Sequence, residues 1–458
     1  MRLANLLGPD LKDTLASDPK ALQEAIDEFH PEDVAEIIEE IPLEDAVALI
    51  RFLPDDMSSD VLERLSTDRQ ADVLSAIGSR ESIPILSGMA PDDRVDLLQD
   101  LTGQFALELM DQLEKEDPEA AEEVRELQAY DEETAGGLMT THYVSVAPDT
   151  KVWKVMEEIR RASREDVAET IDYVYVTAYG DQLVGVASLR DLILAEPANQ
   201  VADVMVEKVV RVSPEEDQEH VAATINKYDL SAIPVVNERG MMLGVVTIDD
   251  MVDVVIEEAT EDAQKMGGVV PLEDSYFDTG FGEFIWKRAL WLIILFGGQL
   301  LTATVMEAHE SEMAAMLGLV VFIPLIIATG GNSGAQSSTL VIRAMAVGEM
   351  SPGDWWRVAG RELFIGVSIG IVLGLVGFAR AWFVGETASM ELAITVGTSI
   401  VAVVTMGTLM GSLLPLGIKR VGLDPAVSST PFIASLVDVL GLVVYFGIAQ
   451  WILTTALS

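Results

Sequence analysis

One carboxylate, Asp438, lies inside the apolar stretch PFIASLVDVLGL. A charged side chain in hydrocarbon costs at least ~2.5–3.5 kcal/mol on the mildest scale. No Lys or Arg falls within the apolar segments to pair with it. The chemistry that satisfies it is a cation, a proton, or a hydrogen bond from another segment. A second apolar stretch reads PLIIATGGNSGAQSS from Pro324 to Ser338. Asn332 and Gln336 place two amide oxygens one helical turn apart. Gly330, Gly331 and Gly334 bring backbone close to an axis or expose carbonyls, or else permit tight helix packing; irregular backbone at membrane depth needs protein or water around it. A carboxylate with neutral oxygens suits a hard cation. Mg²⁺ dehydrates reluctantly and keeps waters, whereas Ca²⁺ seeks six to eight oxygens directly. A K⁺ or Na⁺ filter built only of carbonyls has no need of Asp438. Soft transition metals are disfavoured, because the chain has no Cys and its four His are isolated.

Other carboxylates cluster outside the apolar segments. MVDVVIEEATEDAQKMGG, residues 251–268, predicts a helix with an apolar stripe of Val252, Val255 and Ile256. Asp253, Glu257, Glu258, Glu261 and Asp262 form its acidic face. Like charges at i and i+4 cost a few tenths of a kcal/mol per pair, so this helix needs open solvent or a counter-ion. Two further segments match each other: GVASLRD at Gly185–Asp191 and GVVTIDD at Gly244–Asp250. Each sets a hydroxyl (Ser188, Thr247) one turn before a carboxylate (Asp191, Asp250) at a helix start. Such a pair can hold a ribose, or it can cap the helix. Both readings stand on the sequence.

These groups are carried by a chain of 458 residues with 75 acidic and 29 basic side chains, net -46. Gly280–Ser458 holds 11 acids and 8 bases, leaving 64 and 21 in residues 1–279. An acidic half is joined to an apolar half, which excludes a single soluble globule. The acidity argues against a nucleic acid partner, since nothing would neutralise phosphates. It favours cations. Only 10 of the bases are Lys, so part of the acidity suits a salt-rich cytoplasm. Met1–Leu11 has no apolar core and reads as no signal peptide. No Ser–His–Asp or HExxH arrangement supports an enzyme.

From Pro31 a 12-residue pattern recurs six times, beginning PEDVAEIIEEIP, LEDAVALIRFLP and DDMSSDVLERLS. Each unit opens with acidic or polar residues that read as helix caps, continues at helical spacing and ends at a break, which predicts an α-solenoid over residues 1–129. Residues 139–195 and 205–250 then repeat the order strand, helix, strand, turn, strand, helix, with turns at Tyr179–Asp181 and Arg239–Gly240. Five apolar segments follow, each able to supply a span of about 20 residues. Lys287, Arg288, Arg343, Arg357, Arg361, Lys419 and Arg420 fall on one side of the membrane against Arg380 on the other. The acidic half is therefore expected in the cytoplasm and Ser458 outside.

The two α/β repeats resemble a tandem pair of cystathionine-β-synthase-type (CBS) domains, a module that commonly senses adenine nucleotides. The chain as a whole resembles the MgtE family of magnesium channels and transporters. The residues that carry this likeness are YDEETAGGLMT (Tyr130–Thr140), the paired modules, the acidic helix, GGNSGAQ (Gly330–Gln336) and LDPAVSSTPFIASLVD (Leu423–Asp438). The resemblance implies four parts: an N-terminal helical superhelix (1–129), tandem α/β CBS domains (130–250), a connecting plug helix (251–282) and a five-helix transmembrane domain (283–458). It implies a homodimer in the cell membrane with a pore on its two-fold axis, importing Mg²⁺ down its gradient and closed by cytosolic Mg²⁺. Asp438 then lines the pore with Gly331, Gly334 and Ala434. A family asparagine two turns before that aspartate falls here at Thr430. The implied regulatory Mg²⁺ positions are Asp60, Asp92, Asp96, Asp217, Glu219, Asp229, Asp250, Asp253, Glu258, Glu261, Asp262 and Asp424. ATP is the implied nucleotide, with Arg190 joining Ser188, Asp191, Thr247 and Asp250. Transport of Co²⁺ or Mn²⁺ on the same scaffold, and anion transport with a CBS regulator, are the alternatives.

Overall fold

The computed structural model describes residues 29–101, 103–165, 168–272, 276–277, 279–315, 317–383 and 389–456. The chain forms two compact units, Met1–Val255 and Ile256–Ser458.

In the first unit, helices α1 (Pro31–Glu40), α2 (Leu43–Ile50), α3 (Asp55–Glu63), α4 (Thr67–Ile77), α5 (Ser79–Gly88) and α6 (Pro91–Asp100) begin at the six repeat starts. α7 (Gln104–Glu116) and α8 (Pro118–Leu127) extend the series. Each helix packs on the one two places along: α1 on α3, α2 on α4, and so on to α6 on α8. This pairing builds the solenoid, because no short helix buries its stripe alone. The acidic openings are not caps, however. Pro42, Pro54, Ser66, Gly78 and Ala90 hold the cap positions of α2–α6, and none makes a side-chain capping bond. Glu44, Asp45, Asp92 and Asp93 sit in first turns instead, where the helix dipole favours them.

The CBS repeats follow. β1 (Ser145–Val146) pairs parallel with β2 (Tyr173–Ala178), and β2 pairs antiparallel with β3 (Gln182–Ser188). β4 (Ala232–Val236) pairs antiparallel with β5 (Met242–Thr247). The first strand of the second repeat is reduced to one bridge, Val212 to Val235. Helices α9 (Val152–Glu165), α10 (Leu189–Leu194) and α11 (Gln218–Tyr228) complete the pair. Each lead-in strand crosses to the other repeat: Thr140 bridges Val245, and Val206 bridges Val186. The motif glycines make room for those crossings. A methyl group on Gly244 would lie 2.5 Å from the Thr140 carbonyl oxygen, and one on Gly185 would lie 2.4 Å from the Met205 sulfur.

Helix α12 (Ile248–Met266) contains the unit boundary. It buries Met251 and Val254, while Val252, Val255 and Ile256 are exposed. The expected apolar stripe is thus displaced by one position, and its anticipated members lie bare.

Among the described residues, the second unit holds five helices long and apolar enough to cross a membrane. They are α13 (Phe281–Ala308), α15 (Leu317–Ala346), α16 (Trp355–Phe383), α17 (Met390–Arg420) and α18 (Thr430–Ala456), with a short α14 (Glu310–Ala315) between the first two. α15 runs unbroken through GGNSGAQ. Of the two readings its glycines allowed, helix packing is the one the backbone follows. Methyl groups on Gly407 and Gly411 of α17 would lie 2.5 Å and 2.0 Å from the carbonyl oxygens of Gly330 and Gly334. Small residues four apart on both helices permit this backbone approach.

Candidate cation sites

The first unit brings three carboxylates together from three elements. Asp92 comes from the first turn of α6, Asp250 from the first turn of α12, and Glu169 from the segment between α9 and β2. Their oxygens all lie within 4.8 Å of one another. Asp92 is buried, with 6% of its surface exposed, and its Oδ1 has no hydrogen-bond partner. Asp250 is half-buried, and Glu169 is exposed as a whole residue although its carboxylate joins the group. The Thr247 hydroxyl donates to Asp250 Oδ2 at 2.6 Å and is 3.3 Å from Glu169 Oε1. None of the three makes an ion pair among the described residues.

Such crowding raises the cost of charge. Burial drives Asp92 well above the usual carboxylate range, and Glu169, Asp250 and Asp93 add to it. Burial is also the main cause at Asp250, pushed up to about 7 against the bond from Thr247, with Glu169, Asp249 and Asp93 acting in the same direction. Glu169 rises too, first by burial, then through Asp249 and Asp93, against bonds from Thr140 and Thr247. Glu63 of α3 is pushed up to about 8 by burial, Asp93 and Asp60. Oxygen donors, high local negative charge and a buried orphan oxygen fit a hard divalent cation.

Of the positions expected from sequence, Asp92 and Asp250 meet here, and Asp60 lies close enough to act on Glu63. Asp96 is exposed on α6 and Asp253 on α12. Asp217 caps the start of α11 by accepting from Glu219 N–H at 3.0 Å, and Asp229 ends the same helix with φ 51°. These lie about 18 Å apart along the helix, so one ion cannot join them within a chain. Glu169 and Glu63 were not anticipated.

The nucleotide motifs use their own groups internally. Ser188 caps α10, accepting from Asp191 N–H at 3.1 Å and donating to Asp191 Oδ2 at 2.6 Å. Thr247 and Asp250 repeat that hydroxyl–carboxylate bond. Arg190 lies exposed beside Asp191 at the start of α10.

In the second unit, Glu261, Asp262 and Asp424 gather near the junction of α12 with the loop before α18. Lys265 Nζ lies 2.7 Å from Asp424 Oδ2 and also contacts Glu261 Oε1. Burial raises the Asp262 carboxyl, reinforced by Asp424 and opposed by Lys265. Glu258 is half-buried one turn back on α12.

Deeper in the apolar helices, Asp438 of α18 is half-buried and its Oδ2 accepts from Gln299 Nε2 of α13 at 3.2 Å. A methyl group on Gly331 would lie 3.5 Å from both Asp438 Oδ1 and the Ala434 Cβ. Asp438, Gly331 and Ala434 therefore share one locality. Gly334 faces elsewhere: its methyl would meet Ile433 at 2.9 Å and the Gly407 carbonyl oxygen at 3.1 Å. Asn332 and Gln336 are exposed on α15. Gln299 escaped sequence reasoning, although it is the only amide side chain in the uncharged run Ala289–Met306.

Comparison with known proteins agrees along the chain. Residues 323–448 match MgtE, described as a divalent cation transporter, and residues 29–133 match the MgtE intracellular N domain. Residues 135–197 and 201–257 match the CBS domain. A magnesium transporter MgtE of Thermus thermophilus is 40% identical over 337 residues, 74% of each chain. That of Enterococcus faecalis is 37% identical over 334 residues, 72% of each chain. Among solved structures, the cytosolic domain of the Mg²⁺ channel MgtE in complex with ATP is 38% identical with a TM-score of 0.51, covering 55% of this chain and 100% of that one. The soluble part of a magnesium transporter is 33% identical with a TM-score of 0.52, covering 56% and 98%. The chain belongs to the MgtE family of divalent cation transporters, whose members are not enzymes.

Proposed function

We propose that this chain forms a homodimeric Mg²⁺ channel of the cell membrane, importing Mg²⁺ down its electrochemical gradient and closed by Mg²⁺ on the cytosolic side. The observation that carries the gating reading is the Asp92–Glu169–Asp250 group with its buried, unpartnered Asp92 oxygen. Carboxylates so close repel unless protons or a cation join them. High cytosolic Mg²⁺ bridges the solenoid and the CBS pair through these oxygens, and other ions bind Glu261, Asp262 and Asp424. Falling Mg²⁺ restores the repulsion and releases the closed packing. Several weak sites acting jointly can supply the ~5.5 kcal/mol that a shift from 1:99 to 99:1 requires.

Asp438 is the pore carboxylate in this reading, with Gly331 and Ala434 beside it and Gln299 orienting it from α13. Gly334 contributes the close helix crossing on which that locality rests. The remaining regulatory positions, Asp60, Asp96, Asp217, Glu219, Asp229, Asp253 and Glu258, act where the two subunits or the successive domains face each other. The solved relative with ATP supports nucleotide binding at the CBS pair. The bias of Lys and Arg supports cytosolic N-terminal domains and an outer C-terminus. No covalent chemistry is required, since the gradient does the work.

The test is influx into proteoliposomes carrying a trapped Mg²⁺ indicator, with Mg²⁺ varied on the side of the N-terminal domains. Influx that shuts off as that Mg²⁺ rises is expected. Flux indifferent to it would overturn the gating reading. Co²⁺ or Mn²⁺ flux exceeding Mg²⁺ flux would overturn the assignment of the ion.

A further inference from the structure

The Mg²⁺ reading places Glu261, Asp262 and Asp424 among regulatory ligands, yet a positive charge already sits on two of them. Lys265 lies one turn after Glu261 on α12, and its ammonium group bridges Glu261 Oε1 and Asp424 Oδ2. Its side chain is 23% exposed, against 38% for Glu261 and 36% for Asp424. Asp424 has little freedom to serve a second cation. Its Oδ1 accepts from the Ala426 N–H at 2.8 Å, which starts the 3₁₀ turn Pro425–Val427, and its Oδ2 is the oxygen that Lys265 holds. Gly268, two residues past the end of α12, lies near the start of α18: a methyl group on it would make ordinary contact with Pro431 at 3.4 Å and Ser429 Oγ at 3.5 Å. Arg343 is the other cation felt here, acting on Asp262.

We propose that Lys265 is a tethered counter-ion at this junction, occupying the Glu261–Asp424 carboxylate pair in the ion-free chain so that a regulatory Mg²⁺ must displace it. The proposal rests on the reading that Mg²⁺ binds these carboxylates. An ammonium group and a divalent ion on the same two oxygens would lie within about 5 Å and repel strongly. The lysine must swing away as the ion enters. Two consequences follow from one residue. Without Mg²⁺, the ammonium group offsets the repulsion between Glu261 and Asp424. With Mg²⁺, the concentration that closes it is set above the intrinsic affinity of the carboxylates.

The test uses the full-length chain in nanodiscs, with Mg²⁺ titrated at an ionic strength fixed by KCl. The readout is protease cleavage mapped to residues 251–282, independent of flux. A partly exposed ion pair of this kind predicts that Lys265→Met lowers the half-protecting Mg²⁺ concentration about two- to fivefold. Lys265→Arg keeps the competing charge and should stay close to wild type. In an Asp424→Asn background, Lys265→Met should produce little further shift, because the contested oxygen pair is already gone. That cycle also guards against a variant that merely folds poorly, since a general defect would add its effect in both backgrounds. An unchanged midpoint in Lys265→Met would overturn the proposal. A raised midpoint would overturn it too, making the lysine a latch that Mg²⁺ reinforces. If wild-type chain shows no Mg²⁺ protection at all, the gating reading itself fails and this inference falls with it.

Discussion

Asp92→Asn separates repulsion from ligation at the buried carboxylate group. The change keeps the side-chain shape and removes one charge. With the three sets of oxygens within 4.8 Å of one another, two ionised carboxylates at that distance repel by ~3.5 kcal/mol at an effective dielectric constant of about 20. Asp92 faces two such neighbours, so ionising it beside both would cost ~7 kcal/mol on the same basis. The group escapes much of this by retaining protons, as Asp250 pushed up to about 7 indicates. The variant should therefore ease ion-free packing by a few kcal/mol at most. It also removes an anionic ligand, worth ~1.5–3 kcal/mol, or about 10- to 150-fold in Mg²⁺ affinity. The two effects point in opposite directions. Residues 1–279 from the variant should scatter as a more compact particle than wild type in chelator. They should also need at least tenfold more Mg²⁺ to reach full protection from protease, by the same conversion. Ionic strength is fixed with KCl, so that general screening is constant. A variant as expanded as wild type in chelator, with an unchanged Mg²⁺ midpoint, would refute the argument. The orphan oxygen would then be a buried acid that simply keeps its proton.

Asp438→Asn should cut Mg²⁺ influx by at least tenfold while the dimer still elutes intact. Wild-type flux would mean that the bond from Gln299 is all the carboxyl needs. The pH dependence follows from the raised acids. Asp250, at about 7, and Glu63, at about 8, bind more protons folded than unfolded. Their stabilising contribution is present below the ordinary carboxylate range and is lost as pH rises through those values. Thermal melts of residues 1–279 in chelator should thus fall between pH 5 and pH 8, and saturating Mg²⁺ should flatten the slope; a slope unaffected by Mg²⁺ would count against the site. Calorimetry should detect ATP binding to the same fragment and its loss in Asp191→Ala, whereas no heat from wild type would leave both hydroxyl–carboxylate pairs as helix caps. Gly411→Ala places a methyl 2.0 Å from the Gly334 carbonyl oxygen and should cost ~1–3 kcal/mol in detergent melts, while Gly417→Ala, with open space around it, should be neutral.

The solenoid was legible because its signal is local. A 12-residue period, with Pro, Gly or Ser-Thr at each break, fixes where every helix begins, and α1–α6 start at those residues. Capping was misjudged for a related reason. Composition marks a helix opening as acidic, but it does not say whether the acid stands at the cap or one residue inside it. The CBS motifs were legible as hydroxyl–carboxylate pairs. The purpose of their glycines was not, since Gly185 and Gly244 answer to Met205 and Thr140 on crossing strands.

The same distinction separates the parts of the cation sites that sequence reveals from those it hides. Asp438 declares itself because a charge in an apolar run violates a local expectation. Gln299 violates nothing, since one amide in a span is unremarkable until a carboxylate 139 positions later is found beside it. Glu169 is one acid among 75 and lies between elements, with no periodicity to mark it. Its partner hydroxyl, Thr247, is 78 residues away. Gly330 and Gly334 stayed ambiguous for the opposite reason. They form a conspicuous local pattern that exposed carbonyls and tight helix packing both explain. The actual cause is a second pair of small residues, Gly407 and Gly411, that admits the backbone of α15 without unwinding it. A sequence thus exposes a site where one residue breaks its own surroundings. It conceals a site where each residue is ordinary and only the juxtaposition is costly, as with three acids that are unremarkable apart and cannot all hold their charges together.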